Sequence, residues 1–146
     1  MLLIGTNNLG AGMSAENTLV GIKSVLEALR VKRPLAHVVL LGLLPRGDKW
    51  FKGTKMDMMT NIMEVNKVLE EEVSQGPPTG SQMIWYLNCG NLFLEGGESK
   101  IGLDGRFQAK VNQTLMPDSL HPNGDGARLW AECMKPTVDK LLALRR

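Results

Sequence analysis

A chain of 146 residues is the size of one domain, long enough for folding to bury about 68–70% of the unfolded surface. Its 43% hydrophobic and 22% charged residues describe a globular protein rather than a disordered or fibrous one. A net charge of +2, from 17 basic and 15 acidic residues mixed along the chain, leaves no basic block and no nucleic-acid footprint.

Leu2-Leu3-Ile4 before Gly5 reads as the end of a buried strand, and residues 5–12 as a polar, glycine-rich turn. Ser14 is an N-cap with Glu16 in the first turn, and Leu19, Ile22, Val25, Leu26 and Leu29 recur at helical spacing as far as Pro34. Residues 38–44 are continuously apolar, the pattern of a strand covered on both faces, closed by Pro45. A polar loop over 46–55 carries Trp50 and Phe51. A second helix over 58–74 has Ile62, Val65, Leu69 and Val73 on one face and Glu70-Glu71-Glu72 as solvated charge on the other. Gly76-Pro77-Pro78-Thr79-Gly80 ends it. Residues 83–87 form a third strand, 90–116 a long loop with little regular structure. The last helix starts near Asn123, with Pro136 expected to kink or divide it. Buried strands alternating with helices call for one α/β domain, a parallel sheet with helices on both faces.

Cys89 and Cys133 have neither zinc spacing nor the density of a disulfide framework, and read as two free, mostly buried thiols. No apolar run approaches the ~20 residues that span a bilayer. Residues 1–4 are too short for a signal-peptide core, so the segment points to a soluble, cytoplasmic protein rather than a secreted one.

In open α/β sheets ligands bind beyond the C-terminal ends of the strands. Asn7 and Asn8 follow the first strand there, Pro45 and Arg46 the second, and the loop leading to Asp118 and His121 the third. His121 is suited to take a proton from a hydroxyl nucleophile and return it to a leaving group. Asp118, three residues earlier, is suited to accept the other ring N–H and fix the tautomer, or simply to organise the turn. His37, at the mouth of the second strand, reads as structural. Asn7 is suited to donate its amide N–H to an oxyanion, or to shape a turn. Gly5, Gly10 and Gly12 near a helix start also suggest a phosphate cradle and a nucleotide-binding domain. The Lys-Ser/Thr of a Walker loop and the third glycine of a dinucleotide loop are both missing.

Gly5-Thr6-Asn7-Asn8 with Asp118-x-x-His121-Pro122 resembles the third and fifth blocks of the SGNH (GDSL-type) hydrolases. With Leu43-Leu44-Pro45-Arg46-Gly47 it is most similar to the platelet-activating-factor acetylhydrolase-like esterases of that family. Asn66 matches a recurrent, structural Asn. The resemblance implies a three-layer α/β/α flavodoxin-like fold lacking its first two strands, so that 1–146 is a single, N-terminally truncated domain. It implies His121 as base, Asp118 as its orienter and Asn7 as oxyanion donor in the hydrolysis of a small acyl ester of a lipid or sugar, with no metal or organic cofactor. The family's nucleophilic Ser, in a Gly-Asp-Ser block, lies ahead of the third block and has no counterpart here. Ser14, Ser24, Ser74, Ser81, Ser99 and Ser119 offer no convincing substitute. The edge of residues 2–4 is then left to pair with a missing N-terminal segment or with another chain, and a non-catalytic interaction module is the alternative expectation. Trp50, Phe51, Phe93 and Leu94 are expected to divide between an acyl pocket and the core.

Overall fold

The computed structural model describes residues 1–51, 53–74, 83–98, 100–104 and 106–144, without the side chains of Lys49, Trp50, Phe51, Thr54 and Lys55. The expected helix stop at 76–80, Ser81 and Ser99 therefore lie outside the described residues, as do the side chains of Trp50 and Phe51. The elements run α1 (Thr6–Gly10), α2 (Ala15–Lys32), β1 (Val38–Leu41), β2 (Lys49–Phe51), β3 (Thr54–Met56), α3 (Met58–Ser74), β4 (Ile84–Leu87), β5 (Lys100–Ile101), β6 (Phe107–Gln108) and α4 (Gly124–Ala143), with short 3-10 turns at Gly90–Phe93 and Glu95–Gly97.

The architecture is α/β. β1 and β4 pair in parallel, Val38 opposite Ile84 through Leu41 opposite Leu87. Side-chain alternation along β1 sends Leu40 to one face and Val39 and Leu41 to the other. Leu40 joins Leu19, Ile22 and Leu26 of α2 and Met58, Ile62, Val65 and Leu69 of α3. Val39 and Leu41 meet Leu141, Trp130 and Met134 of α4. The sheet is thus sandwiched, α2 and α3 on one side and α4 on the other. Residues 2–4 lie along the free side of β1 but touch it as one bridge rather than a strand. Leu2 N–H donates to Val39 O (2.8 Å), and Leu2 O accepts from Leu41 N–H (2.9 Å).

The helices follow their periodicity. Ser14 Oγ accepts from Asn17 N–H (3.2 Å) at the start of α2, and Asn123 Oδ1 accepts from Gly126 N–H (2.9 Å) at the start of α4. Pro136 does not divide α4. Both Pro136 and Glu132, whose carbonyl loses its helical partner there, are exposed, so water can take that carbonyl.

Four expectations change. The 5–12 turn contains the five-residue α1. The apolar run 38–44 stays buried, but β1 stops at Leu41 because Asn66 captures the backbone beyond it. The loops 46–55 and 90–116 hold two antiparallel hairpins, β2–β3 and β5–β6, the second tied to α3 by Phe107 N–H donating to Thr60 Oγ1 (3.2 Å). Finally, Cys89 and Cys133 are not free thiols but are bonded to each other, with Cα atoms 6.3 Å apart across 44 residues. The exit of β4 and one face of α4 come within bridging distance only through tertiary packing, which cysteine spacing does not encode.

Candidate active site

The carboxyl ends of β1 and the 2–4 segment lead to one edge of the sheet. Gly5 turns the chain there with φ 118, in the left-handed region that favours glycine. A Cβ at Gly5 would also sit 3.1 Å from both Ile22 Cδ1 and Thr18 Cγ2. This turn starts α1 and leaves Asn7 exposed on it.

After Leu41 the chain is fixed by Asn66, a buried side chain on α3. Its Oδ1 accepts from Leu43 N–H (2.7 Å), and its Nδ2 donates to Leu43 O (2.9 Å). Both backbone groups of Leu43, unpaired once β1 ends, are satisfied by one side-chain amide. Asn66 is structural, as expected.

The next residues reach both candidate turns. Arg46 Nη1 donates to Thr6 O (3.0 Å) in α1, and Gly47 N–H donates to Ser119 O (2.9 Å) between the acid and the base. A Cβ on Gly47 would meet Ser119 Cβ at 2.8 Å, so this close approach requires glycine. Segment 43–47 therefore connects the Asn7 turn to the Asp118–His121 turn.

Asp118 does both jobs that its position allows. Its Oδ1 accepts from Leu120 N–H (3.0 Å) and His121 N–H (2.7 Å), closing the turn, while Oδ2 faces His121 Nδ1 at 2.6 Å. The His121 backbone N–H, then the His121 side chain, hold the Asp118 carboxyl down at about 2. Ser119, between them, sits at φ 56, a left-handed conformation uncommon outside glycine. Both side chains are exposed, and the ring reaches solvent at 74% of its surface. With Nδ1 engaged by the carboxylate, Nε2 is the nitrogen available for proton transfer. The turn is held from behind by Asn123 N–H donating to Leu115 O (2.8 Å) and Asn123 Nδ2 donating to Thr114 O (2.8 Å).

No serine hydroxyl among the described residues is hydrogen-bonded to the His121 ring. Ser14 caps α2, and Ser24 Oγ donates to Val20 O (2.9 Å). Ser119 Oγ accepts from Gln113 Nε2 (3.4 Å), and Ser74 ends α3. His37 lies before β1, at the opposite end of the sheet, 5.7 Å from the Trp85 ring. Phe93 and Leu94 are buried in the core, with Phe93 edge-on to Trp130. A groove of about 410 Å³ opens beside the acid–base turn, lined by Arg46, Asp48, Glu95, Lys110, Gln113 and Ser119 among others. Sequence reasoning missed Gly47, Gln113 and Lys110 here. Only Gly47 carried a signal, as the glycine of the Leu-Leu-Pro-Arg-Gly run.

No protein-family model matches the chain. The chain is similar to subunits of platelet-activating factor acetylhydrolase IB. It is 48% identical over 45 residues to human subunit alpha1, covering 31% of this chain and 19% of that one. It is 44% identical over 46 residues to chicken subunit alpha2, covering 32% of this chain and 19% of that one. Rat subunit alpha2 is 26% identical over 141 residues, 97% of this chain and 50% of the relative. The chain thus spans half the length of the relative that it matches nearly end to end. A solved structure from Streptococcus pneumonia, provisionally described as a platelet activating factor, superposes with a TM-score of 0.65 at 17% identity over 93% of this chain and 57% of that one. The neighbour shares the α/β fold, and the sequence similarity supports a hydrolase family.

Proposed function

We propose that this chain carries the general base, its orienting acid and an oxyanion donor of an SGNH-type serine esterase, acting on a small acyl ester of a lipid or sugar. The observation that carries the reading is the 2.6 Å contact between His121 Nδ1 and Asp118 Oδ2, with the opposite edge of the ring in solvent. In this role His121 Nε2 removes the proton from a serine hydroxyl as it attacks the ester carbonyl, and Asp118 stabilises the imidazolium. Asn7 Nδ2 donates to the oxyanion, and His121 returns the proton to the departing alcohol. Water then repeats the sequence on the acyl-enzyme. The serine comes from outside the described residues, on a segment that pairs with residues 2–4. Leu2 is bonded to β1, so alternation turns the backbone groups of Leu3 to the outer side, where no strand lies among the described residues.

A fluorophosphonate probe, which labels an activated serine, tests this in two arms. The folded chain alone should stay unlabelled. The chain extended ahead of Met1 by a strand ending in Gly-Asp-Ser should be labelled, and His121→Ala should abolish the labelling. A folded extended chain that labels equally with and without His121 would sink the assignment. A folded extended chain that never labels, yet binds an extended partner at the 2–4 edge, would instead favour a non-catalytic interaction module, the reading that this open edge also supports.

A further inference from the structure

The end of the sheet opposite the acid–base turn carries a feature that the esterase reading does not use. α2 finishes in Arg30-Val31-Lys32, and the turn that follows is Arg33-Pro34-Leu35, closed by Ala36 N–H donating to Arg33 O (3.0 Å). All six residues but Pro34 are large, and all six are exposed. Val31 keeps 72% and Leu35 82% of their surface in solvent. Among the described residues no carboxylate pairs with Arg30, Lys32 or Arg33, although Glu27 lies one turn back on the same helix. Beside them a groove of about 500 Å³ runs past Val31 to Met83 and Ile84 at the start of β4.

Cations in the last turn of a helix complement its dipole, which accounts for the charge of Arg30 and Lys32. It does not account for two largely exposed aliphatic side chains interleaved with three cations that have no carboxylate partner among the described residues. Alternation of apolar and basic side chains along one projecting corner suits a partner that offers negative charge and hydrocarbon at adjacent depths. A membrane interface does so, with anionic headgroups above acyl chains.

We propose that the Arg30–Leu35 corner docks the protein on an anionic lipid surface, with Val31 and Leu35 entering the acyl boundary and Arg30, Lys32 and Arg33 at headgroup level. Because β1 and β4 run in parallel from this corner to the Asn7 and His121 turns, docking leaves the acid–base edge facing away from the bilayer.

Flotation of the purified chain with phosphatidylcholine vesicles, with and without phosphatidylserine, tests the proposal. The chain should float with the phosphatidylserine vesicles, and raised salt should release it. Each juxtamembrane cation contributes roughly five-fold to partitioning, so R30Q/K32Q/R33Q should bind about a hundred-fold less. V31S/L35S should lose about ten-fold while keeping the salt dependence. Circular dichroism of each variant confirms that it is folded. Failure of the folded chain to float, equal flotation with phosphatidylcholine alone, or undiminished flotation of the folded triple variant would each overturn the proposal. Retention on an acidic protein matrix without flotation would overturn it too, in favour of an acidic protein partner.

Discussion

The Cys89–Cys133 bond closes a span of 44 residues that contains the β5–β6 hairpin, the whole of the long loop and both Asp118 and His121. Replacing both cysteines with serine, or reducing the bond, restores the conformational freedom of that span to the unfolded chain. Loop-closure entropy for a span of this length is worth about 4 kcal/mol at 25 °C. A chain of 146 residues unfolds with an entropy of about 0.3 kcal/mol per degree, so the midpoint of thermal unfolding should fall by about 13 °C. The comparison is direct: thermal denaturation of the oxidised chain, the same chain in a phosphine reductant, and Cys89→Ser/Cys133→Ser. Thiol titration reports the redox state of each sample. The reduced chain and the double variant should melt together, well below the oxidised one. An oxidised chain that titrates with two free thiols would refute the bond. A confirmed bond whose loss moves the midpoint by only a degree or two would show that the span stays restrained in the unfolded chain, and would refute the entropy argument.

Two further outcomes follow from contacts at the site edge. Asn66→Ala strands the amide and carbonyl of buried Leu43 and should cost about 2–4 kcal/mol in urea unfolding; a cost under about 0.5 kcal/mol would mean that Leu43 finds other partners. Asp118 titrates below its ordinary 3.8, so its contribution is complete above that pH and is lost as the pH falls through about 2. A carboxyl carbon titration by NMR should place the midpoint near 2. In His121→Ala it should rise yet stay below 3.8, because the leading cause is the backbone N–H of residue 121, which the substitution keeps. A wild-type midpoint at 3.8 or above would contradict the hydrogen-bonded turn.

What could be read from the sequence divides along the range of the forces involved. α2, α3 and α4 were legible because one apolar face per helix is a local pattern, and Ser14 and Asn123 cap within three residues. The Asp118–His121 pair was legible for the same reason: three residues of spacing are enough to bring carboxylate and imidazole together. β1 was legible as a buried run but not in its length, since Asn66, more than twenty residues later, decides where the ladder stops. The β5–β6 hairpin, two residues on each side, has no alternation to detect, and depends on the Thr60 hydroxyl of a distant helix. The cysteine pair was misread because its proximity depends on how α4 lies across the end of β4. The bonds of Arg46 and Gly47 were invisible too, although the run containing them carried part of the family resemblance.

The attachment of both candidate turns to residues 43–47 has a consequence for how this region can change over time. The separation of Asn7 from His121 along the chain passes through two hairpins and a long loop, so any variation in their length would accumulate if the turns were located by that route. They are located instead by Arg46 bonding to Thr6 and Gly47 bonding to Ser119, two adjacent residues acting as a common datum. Lengthening a surface loop costs little, about 0.6 kcal/mol for each doubling. The tip of the β5–β6 hairpin can therefore gain or lose residues while the acid–base turn keeps its place relative to Asn7. The surface beside the groove is free to diversify, and the geometry behind it is not.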